Sequence, residues 1–301
     1  MNGFEFYTQK DHESISSLTA FARCPRLYFY GSGCRLRERT PHPALTYGTA
    51  IHAGMPYAIR GDVAGAMAMF MGEWRELDSL EDSKRNSQRA VVLFENISQA
   101  HKDPIYTPIQ PPKGRYVLDE SVTMDETVFA LEVGMKVPFV GKIDCVGRHR
   151  DTGGVFAVEY KTTSRMGAGF ASSFNYCPQS LGYAFALKVI LENEHVEGTI
   201  TEILGVAKTK AEILLNVAFI TEEMIEEFID WMLRTEKGIR RCEENESFKK
   251  NCSACYPYAQ HGVQGFQCKF KDLCMSQDWT GLKEMFVEAD YNLFSTVEGK
   301  E

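Results

Sequence analysis

The spacing of apolar residues predicts an order of helices, strands, helix, strands and helix along the chain. Apolar positions three and four residues apart indicate helices, whereas alternating or β-branched runs indicate strands. Helices are predicted over residues 14–30, 46–59, 62–100, 175–194 and 221–245. About three strands are predicted within residues 116–162, and two more within residues 200–220, joined around Thr209-Lys210. We therefore expect an α/β or α+β fold around one mixed β-sheet.

Caps and prolines predict where two of these helices begin and end. Ser14 or Ser16 can cap the first helix, and Pro25 is expected to end or restart it directly after Cys24. Pro178 suits the first turn of a later helix, because the N–H that proline lacks has no partner at that position.

A pattern of carboxylates and a lysine lies in the strand-forming tract. Asp144 stands in GKIDCV and Glu159 in AVEYKTT, and Gly153-Gly154 between them favours a hairpin turn. Glu159 and Lys161 are two residues apart, so their side chains leave the strand on the same face. The hairpin would gather two carboxylates and an ammonium, a set that suits Mg²⁺ or Mn²⁺.

The same E-x-K spacing is also typical of a simple ion pair on a strand. Residues 155–158, which precede Glu159, are all apolar, so its carboxylate is expected at the end of a buried strand. Burying a charge is costly unless a partner compensates it, and a bound cation would do so. This favours a metal site, with Lys161 placed to orient a water molecule or stabilise developing charge.

Composition changes this picture only in part. The chain has 301 residues, of which 44% are hydrophobic, and this is enough to form a core. Its formal net charge of -8 argues against a protein that coats DNA electrostatically, but not against a nuclease whose metal ions bring positive charge.

No apolar run reaches the roughly 20 residues of a membrane span, and the N-terminus lacks a signal-peptide pattern. We expect a cytoplasmic protein with no membrane partner.

Nine cysteines are many for a protein of a reducing compartment, where disulfides are rare. Four of them lie in the tail of the chain, namely Cys252, Cys255, Cys268 and Cys274. Because a C-x2-C pair clamps metal ions well, the tail alone could bind Zn²⁺. Four cysteines have no obvious partners in the sequence and are expected to be small core or surface residues, namely Cys34, Cys145, Cys177 and Cys242.

The motifs together resemble the PD-(D/E)XK nuclease superfamily in its RecB-like branch. GKIDCV and AVEYKTTS resemble the catalytic core of that superfamily. Residues 48–52, GTAIH, resemble the G-x-x-x-H helix of the branch, and residues 179–183, QSLGY, resemble its Q-x-x-x-Y pair. The resemblance implies a restriction-endonuclease-like α/β core, in which helices flank a central mixed sheet.

The resemblance also implies a role for each motif residue. His52, Asp144 and Glu159 would bind Mg²⁺ or Mn²⁺, and Lys161 would be catalytic beside the two carboxylates. Gln179 and Tyr183 lie four residues apart on one helical face and would support the site and the DNA.

The cysteines resemble those of RecB-like nucleases that carry an iron–sulfur cluster. Cys24-Pro25-Arg26 resembles their N-terminal C-P-R motif, and the run from Cys268 to Cys274 resembles their C-x5-C ending. AddB-type nuclease domains carry a further cysteine three residues before the C-x5-C pair, where this chain has Gly265. The resemblance therefore implies a 4Fe–4S cluster that joins the chain ends, with these ligands: Cys24, Cys255, Cys268 and Cys274, or Cys252 as the alternative to Cys255. Zn²⁺ stays the alternative to iron–sulfur.

The resemblance gives an expected organisation and activity for the whole chain. We expect one nuclease domain over residues 1–301, with N-terminal helices in 14–60, a helical insertion in 61–115, a catalytic core in 116–220 and a cysteine-rich end in 221–301. The chain resembles CRISPR-associated adaptation nucleases and phage-encoded RecB-like exonucleases, which implies a metal-dependent DNA exonuclease of recombination, repair or DNA processing.

The expected substrate is single-stranded DNA or duplex ends. The sequence contains no G-x-x-x-x-G-K-[ST] phosphate loop, so a helicase or recombinase would be a separate partner. The alternative is a DNA- or partner-binding iron–sulfur or zinc subunit that does not cut. Such a subunit would be marked by erosion of the D…E-x-K set, and that set is intact here.

Overall fold

A computed structural model describes residues 4–39, 42–78, 84–118, 123–164, 166–206, 211–255, 268–276 and 285–289. The chain divides into two compact units. Unit 1 combines Met1–Thr40, Leu131–Val140 and Glu227–Glu301, and unit 2 combines Pro41–Ala130 and Gly141–Glu226. This division does not test the expectation of one nuclease domain over residues 1–301, which stays a prediction.

Helices and strands alternate in blocks along the described residues. The helices are α1 Ile15–Arg23, α2 Pro25–Tyr28, α3 Pro43–Ala58, α4 Val63–Trp74, α5 Ser87–Ala100, α6 Ala168–Ser172, α7 Pro178–Ile190, α8 Glu222–Glu244 and α9 Lys271–Ser276. The strands are β1 Glu13–Ser14, β2 Leu36–Glu38, β3 Tyr106–Ile109, β4 Val117–Leu118, β5 Thr127–Leu131, β6 Phe139–Ile143, β7 Cys145–His149, β8 Val155–Thr163, β9 Val196–Val206, β10 Ala211–Phe219 and β11 Phe286–Glu288. No helix in these described ranges is long and apolar enough to cross a membrane.

A five-stranded mixed sheet is the centre of unit 2. Its strand order is β10-β9-β8-β7-β3, with β8 and β9 parallel and the other neighbours antiparallel. The turn between β7 and β8 contains Gly153, whose φ of 74° lies in the left-handed region that glycine enters without strain. A parallel pair needs a long crossover, and α7 lies in the crossover from β8 to β9.

Helices cover both faces of this sheet. Side chains alternate along β8, so Phe156, Val158 and Tyr160 leave one face while Glu159 leaves the other. The first three residues join a core with residues of α3, α4 and α5. Gln179 of α7 contacts Glu159, which places α7 on the opposite face. The expected mixed sheet flanked by helices is thus confirmed for unit 2.

The core of unit 2 depends on close packing of α3, α4 and α5. The largest fully buried side chains there include Phe70, Trp74 and Phe94. The helices approach so closely at Gly54 that an added Cβ would lie 2.4 Å from the Phe94 ring and 2.8 Å from the Ala66 carbonyl oxygen. Glycine at this position therefore allows the contact between α3 and its two neighbours.

Unit 1 contains the first helices of the chain and most of α8. Ser14 caps α1 in a capping box with Ser17, and Cys24 ends α1 and precedes Pro25, the first residue of α2. Both boundaries agree with the sequence prediction. The carboxylate of Glu13 is completely buried and accepts hydrogen bonds from Tyr28 Oη and Ser17 Oγ, each at 2.6 Å.

The strand prediction was only partly correct. Residues 116–162 were expected to form about three strands, but they contain β4, β5, β6, β7 and most of β8, and β4 pairs with β5 rather than with the central sheet. The strand β3 was not predicted, because Pro108 weakens the strand pattern. Its position at the edge of the sheet explains why the proline is tolerated. The expected junction of β9 and β10 around Thr209-Lys210 lies outside the described residues.

Candidate active site

Two buried carboxylates lie side by side where β7 and β8 pair in unit 2. Asp144 comes directly before β7, and the antiparallel register sets Cys145 opposite Val158, one residue before Glu159. Asp144 and Glu159 are each only 8% exposed. The hairpin predicted from Gly153-Gly154 thus forms and brings the two carboxylates together.

Asp144 is held by one backbone N–H and by one imidazole. The backbone N–H of Tyr160 donates to its Oδ2 at 3.0 Å, and Nδ1 of His52 lies 3.5 Å from the same oxygen. Burial opposes ionisation of Asp144, but the charge of His52 and these polar contacts outweigh it and lower the Asp144 pKa. Burial likewise opposes protonation of His52, but the carboxylate of Asp144 raises the His52 pKa.

Glu159 has one oxygen that is bound and one that is not. Its Oε1 accepts hydrogen bonds from Lys161 Nζ and, at 2.9 Å, from Gln179 Nε2. Its Oε2 is buried and has no hydrogen-bond partner among the described residues. Burial and then the nearby charge of Asp144 raise the pKa of Glu159 to about 7, although Lys161 acts in the opposite direction.

Gln179 and Tyr183 connect α7 to this pair of carboxylates. They lie one helical turn apart, and Gln179 Nε2 also donates to Tyr183 Oη at 3.2 Å. Tyr183 is 9% exposed, and burial followed by the charge of Glu159 raises its pKa well above the usual value. The helix begins as predicted, with Pro178 in its first turn after the Cys177 cap.

The structure therefore brings together all six residues that the motifs singled out. All six belong to unit 2. His52 contacts Asp144, while Lys161 and Gln179 contact Glu159 and Gln179 also contacts Tyr183. The backbone N–H of Tyr160, the residue after Glu159, joins the two groups through Asp144. His52, Asp144 and Glu159 offer one imidazole and two carboxylates, a donor set that suits Mg²⁺ or Mn²⁺. No three such side chains are already grouped around a common point in the described part of the chain.

The cysteines singled out in the sequence lie in unit 1. Cys24 and Cys274 are buried, and Cys268 is half-buried. The backbone N–H of Asn251 donates to Cys24 Sγ at 3.3 Å, directly before the turn Cys252–Cys255. The side chains of Cys252 and Cys255 lie outside the described residues. The bond from Asn251 nevertheless places the start of this turn close to Cys24 in space.

The four remaining cysteines were expected to be small core or surface residues. Cys145 is fully buried in the core of unit 2, and burial raises its pKa well above the usual range. Cys34 is 3% exposed, and burial raises its pKa to about 12. Cys177 caps α7, and Cys242 is half-buried.

Sequence reasoning missed one residue of the site, Tyr160. Its backbone N–H binds Asp144, and its ring meets the ring of His52 edge-on, with centroids 5.9 Å apart. The available signal was its place between Glu159 and Lys161, which turns its side chain toward the face of the sheet that α3 covers.

Two of the solved structures that match the chain share little sequence with it. A solved structure of a candidate exonuclease from Eubacterium rectale is 15% identical, with a TM-score of 0.49 over 88% of this chain and 94% of that chain. A crystal structure of SSO0001 is 12% identical, with a TM-score of 0.27 over 75% of this chain and 77% of that chain. No curated protein sequence matches the chain.

The family comparison covers most of the sequence. Residues 12–274 match the PD-(D/E)XK nuclease superfamily, a range that includes every residue of the carboxylate site. Nucleases of this superfamily hydrolyse phosphodiester bonds in DNA and generally use Mg²⁺ or Mn²⁺. The chain belongs to the PD-(D/E)XK nuclease superfamily.

Proposed function

We propose that this chain is a metal-dependent DNA exonuclease of the RecB-like branch. One observation carries the proposal, namely the unpartnered Oε2 of buried Glu159 beside the carboxylate of Asp144. Burial and the nearby charge of Asp144 raise the pKa of Glu159 to about 7. The site therefore has too little positive charge to balance two ionised carboxylates. Lys161 neutralises only part of this deficit, because it contacts only Oε1 of Glu159.

A divalent cation would supply the missing charge. His52, Asp144 and Glu159 are the residues that would hold Mg²⁺ or Mn²⁺ in this site. When bound, the ion supplies Lewis acidity toward a phosphodiester oxygen and lowers the pKa of water.

Lys161, Gln179 and Tyr183 prepare the site for the substrate. The Lys161 ammonium is placed to orient the attacking water and to offset the negative charge that develops on the phosphate. Gln179 uses its amide to fix the rotamer of Glu159 and contacts Tyr183 with the same nitrogen. This fixes the carboxylate before substrate binds, which lowers the cost of reaching the reactive geometry.

The proposed substrate is DNA, taken as single strands or from duplex ends. Exonuclease activity and the RecB-like branch are supported by the order of the His52, Asp144, Glu159-x-Lys161 and Gln179 motifs. The formal net charge of -8 offers little long-range attraction for DNA. A helicase, recombinase or another DNA-processing partner would then deliver the substrate, in recombination or repair.

We also propose that unit 1 binds a 4Fe–4S cluster through Cys24, Cys255, Cys268 and Cys274. The backbone N–H bond from Asn251 to Cys24 Sγ supports this, because N–H donors stabilise a charged, ligating sulfur. Lys250 donates to the backbone carbonyl of Cys274, so the segment before the C-x2-C pair contacts both Cys24 and Cys274. Cys252 is the alternative to Cys255, and Zn²⁺ is the alternative to the cluster.

Cleavage of labelled linear and circular single-stranded DNA tests the exonuclease proposal. We expect the wild-type chain to degrade linear DNA only with Mg²⁺ or Mn²⁺ and to leave circles intact. Lys161→Met should abolish cutting, whereas Lys188→Met should not. Lys188 is a suitable control because it also pairs with a carboxylate, that of Glu222, near the other end of α7. Cutting of circles would exclude a pure exonuclease. Full activity of Lys161→Met would exclude a catalytic role for Lys161.

Anaerobic purification tests the cluster proposal. A 4Fe–4S protein should be brown, and Cys24→Ser or Cys274→Ser should remove the colour and the bound iron. Cys242→Ser is the matched control, because Cys242 is half-buried and has no role in the proposal. A colourless protein with stoichiometric zinc would exclude iron–sulfur in favour of a zinc site.

A further inference from the structure

We propose that Tyr160 is a positioning residue whose ring holds His52 in the orientation needed to bind the metal. The inference rests on the proposed function, since it takes His52 and Asp144 as metal ligands. Tyr160 stands between Glu159 and Lys161 in β8, but its side chain leaves the opposite face of the sheet. It is 1% exposed and belongs to the core formed with α3.

Tyr160 contacts two of the three proposed metal ligands, Asp144 and His52. Its backbone N–H donates to Asp144 Oδ2 at 3.0 Å, which fixes one carboxylate oxygen. Its ring meets the His52 imidazole at 5.9 Å between centroids and 86° between planes, an edge-to-face arrangement that aromatic pairs favour. The same residue therefore orients one ligand through its backbone and the other through its ring.

The ring contact matters because the contact with Asp144 alone would hold His52 only loosely. The His52 side chain is 29% exposed, and its contact with Asp144 spans 3.5 Å, longer than a good hydrogen bond. A half-exposed imidazole on a helix would otherwise turn about its side-chain torsions. The Tyr160 ring restricts this rotation while Nδ1 faces Asp144.

The aromatic ring, and not the hydroxyl, accounts for this restriction. Tyr160 Oη is buried, and its polar neighbours among the described residues, Tyr106 and Cys145, are too poorly placed for a hydrogen bond of normal geometry. The neighbouring Tyr106 hydroxyl donates instead to Glu202 Oε1 at 2.7 Å, and His101 Nε2 also lies 3.1 Å from that oxygen. Removal of the Tyr160 hydroxyl should therefore leave the position of the ring unchanged.

The affinity of the full chain for Mn²⁺ alone, measured by electron paramagnetic resonance, tests the proposal without any nuclease assay. Tyr160→Phe should bind Mn²⁺ as the wild type does, whereas Tyr160→Leu should bind about 10-fold more weakly, as when an outer partner of a metal ligand is lost. Phe156→Leu is the matched control. Phe156 lies on the same strand and face and is fully buried, but its ring neighbours are His149 and Phe219. Its Mn²⁺ affinity should not change.

A double-mutant comparison separates this proposal from the proposed function. His52→Ala should weaken Mn²⁺ binding, and Tyr160→Leu should add no further loss in the His52→Ala background. If His52→Ala weakens binding but Tyr160→Leu alone does not, the positioning role is wrong and the metal site stands. If His52→Ala has no effect, His52 is not a metal ligand, and the positioning role of Tyr160 is wrong as well. Should Tyr160→Leu fail to fold, Tyr160→Met also removes the ring, but its flexible side chain adapts better to the space left behind and tests the same role.

Discussion

The side-chain amide of Gln179 donates a 2.9 Å hydrogen bond to Oε1 of Glu159, although twenty residues separate them in the chain. This bond joins the first turn of α7 to β8 and leaves Oε2 as the unpartnered oxygen of Glu159. The geometry of the buried carboxylate therefore depends on the helix that connects the two parallel strands.

Gln179→Ala should lower the rate of DNA cleavage about 10- to 100-fold, as is typical when an outer partner of a metal-binding carboxylate is lost. Without the amide, Glu159 Oε1 keeps only Lys161 and its rotamer is less restricted. Single-turnover cleavage with saturating Mn²⁺ measures the effect. Gln99→Ala, at an exposed position on α5, is the control and should cleave like the wild type. An unchanged rate for Gln179→Ala would show that Lys161 alone fixes the carboxylate.

Glu159→Gln should stabilise the metal-free protein at alkaline pH. The folded-state pKa of Glu159 is raised from 4.5 to about 7, so its contribution to stability is complete below pH 4.5 and is lost as pH rises through about 7. The loss amounts to at most about 3 kcal/mol. The free energy of unfolding in urea and EDTA should therefore fall between about pH 5 and pH 8 for the wild type, and much less for Glu159→Gln. Glu192→Gln, at an exposed site, should retain the fall.

Mn²⁺ should raise the melting temperature more at about pH 8 than at about pH 5, because the ion binds ionised carboxylates and a neutral imidazole. The raised pKa values of Glu159 and His52 both place protons in competition with the metal at acid pH. At a concentration about 100-fold above the dissociation constant, the stabilisation would approach 2.7 kcal/mol. Thermal denaturation with and without Mn²⁺ measures it. An equal shift at both pH values would contradict binding by these residues.

Two glycines should respond in opposite ways to replacement by alanine. Gly54→Ala should lower the free energy of unfolding by about 1–3 kcal/mol, because the new Cβ would press against the Phe94 ring and the Ala66 carbonyl. Gly72→Ala on α4 should raise it by about 0.5–1 kcal/mol, because nothing lies within 4 Å of the added carbon. Urea denaturation compares the two. Equal effects would mean that the packing of α3 against α4 and α5 is looser than described.

The parts of the site that sequence reasoning could predict are those that depend on local rules. The two-residue spacing of Glu159 and Lys161 decides their common face, and Gly153-Gly154 favours the turn that brings Asp144 beside them. The four-residue spacing of Gln179 and Tyr183 decides their common helical face. These relationships follow from strand and helix periodicity, and the structure shows each of them.

The parts that sequence reasoning could not predict depend on contacts between distant segments. The contact of Tyr160 with His52 needs the position of α3 on the sheet, which no local pattern gives. The edge strand β3 was not predicted because Pro108 disfavours a strand everywhere except at the edge of a sheet. The position of β3 at the edge is known only from the structure. The choice between Cys252 and Cys255 as cluster ligand also stays a prediction, since spacing alone allows both.

The most direct test of the central claim is the rate at which Asp144→Asn degrades end-labelled single-stranded DNA with Mn²⁺. The substitution keeps the shape of the side chain but removes the charge that, with Glu159, would hold the ion. We predict a loss of at least about 100-fold relative to wild type, with Asp103→Asn, at an exposed position, retaining full activity. Wild-type cleavage by Asp144→Asn would contradict the proposed active site.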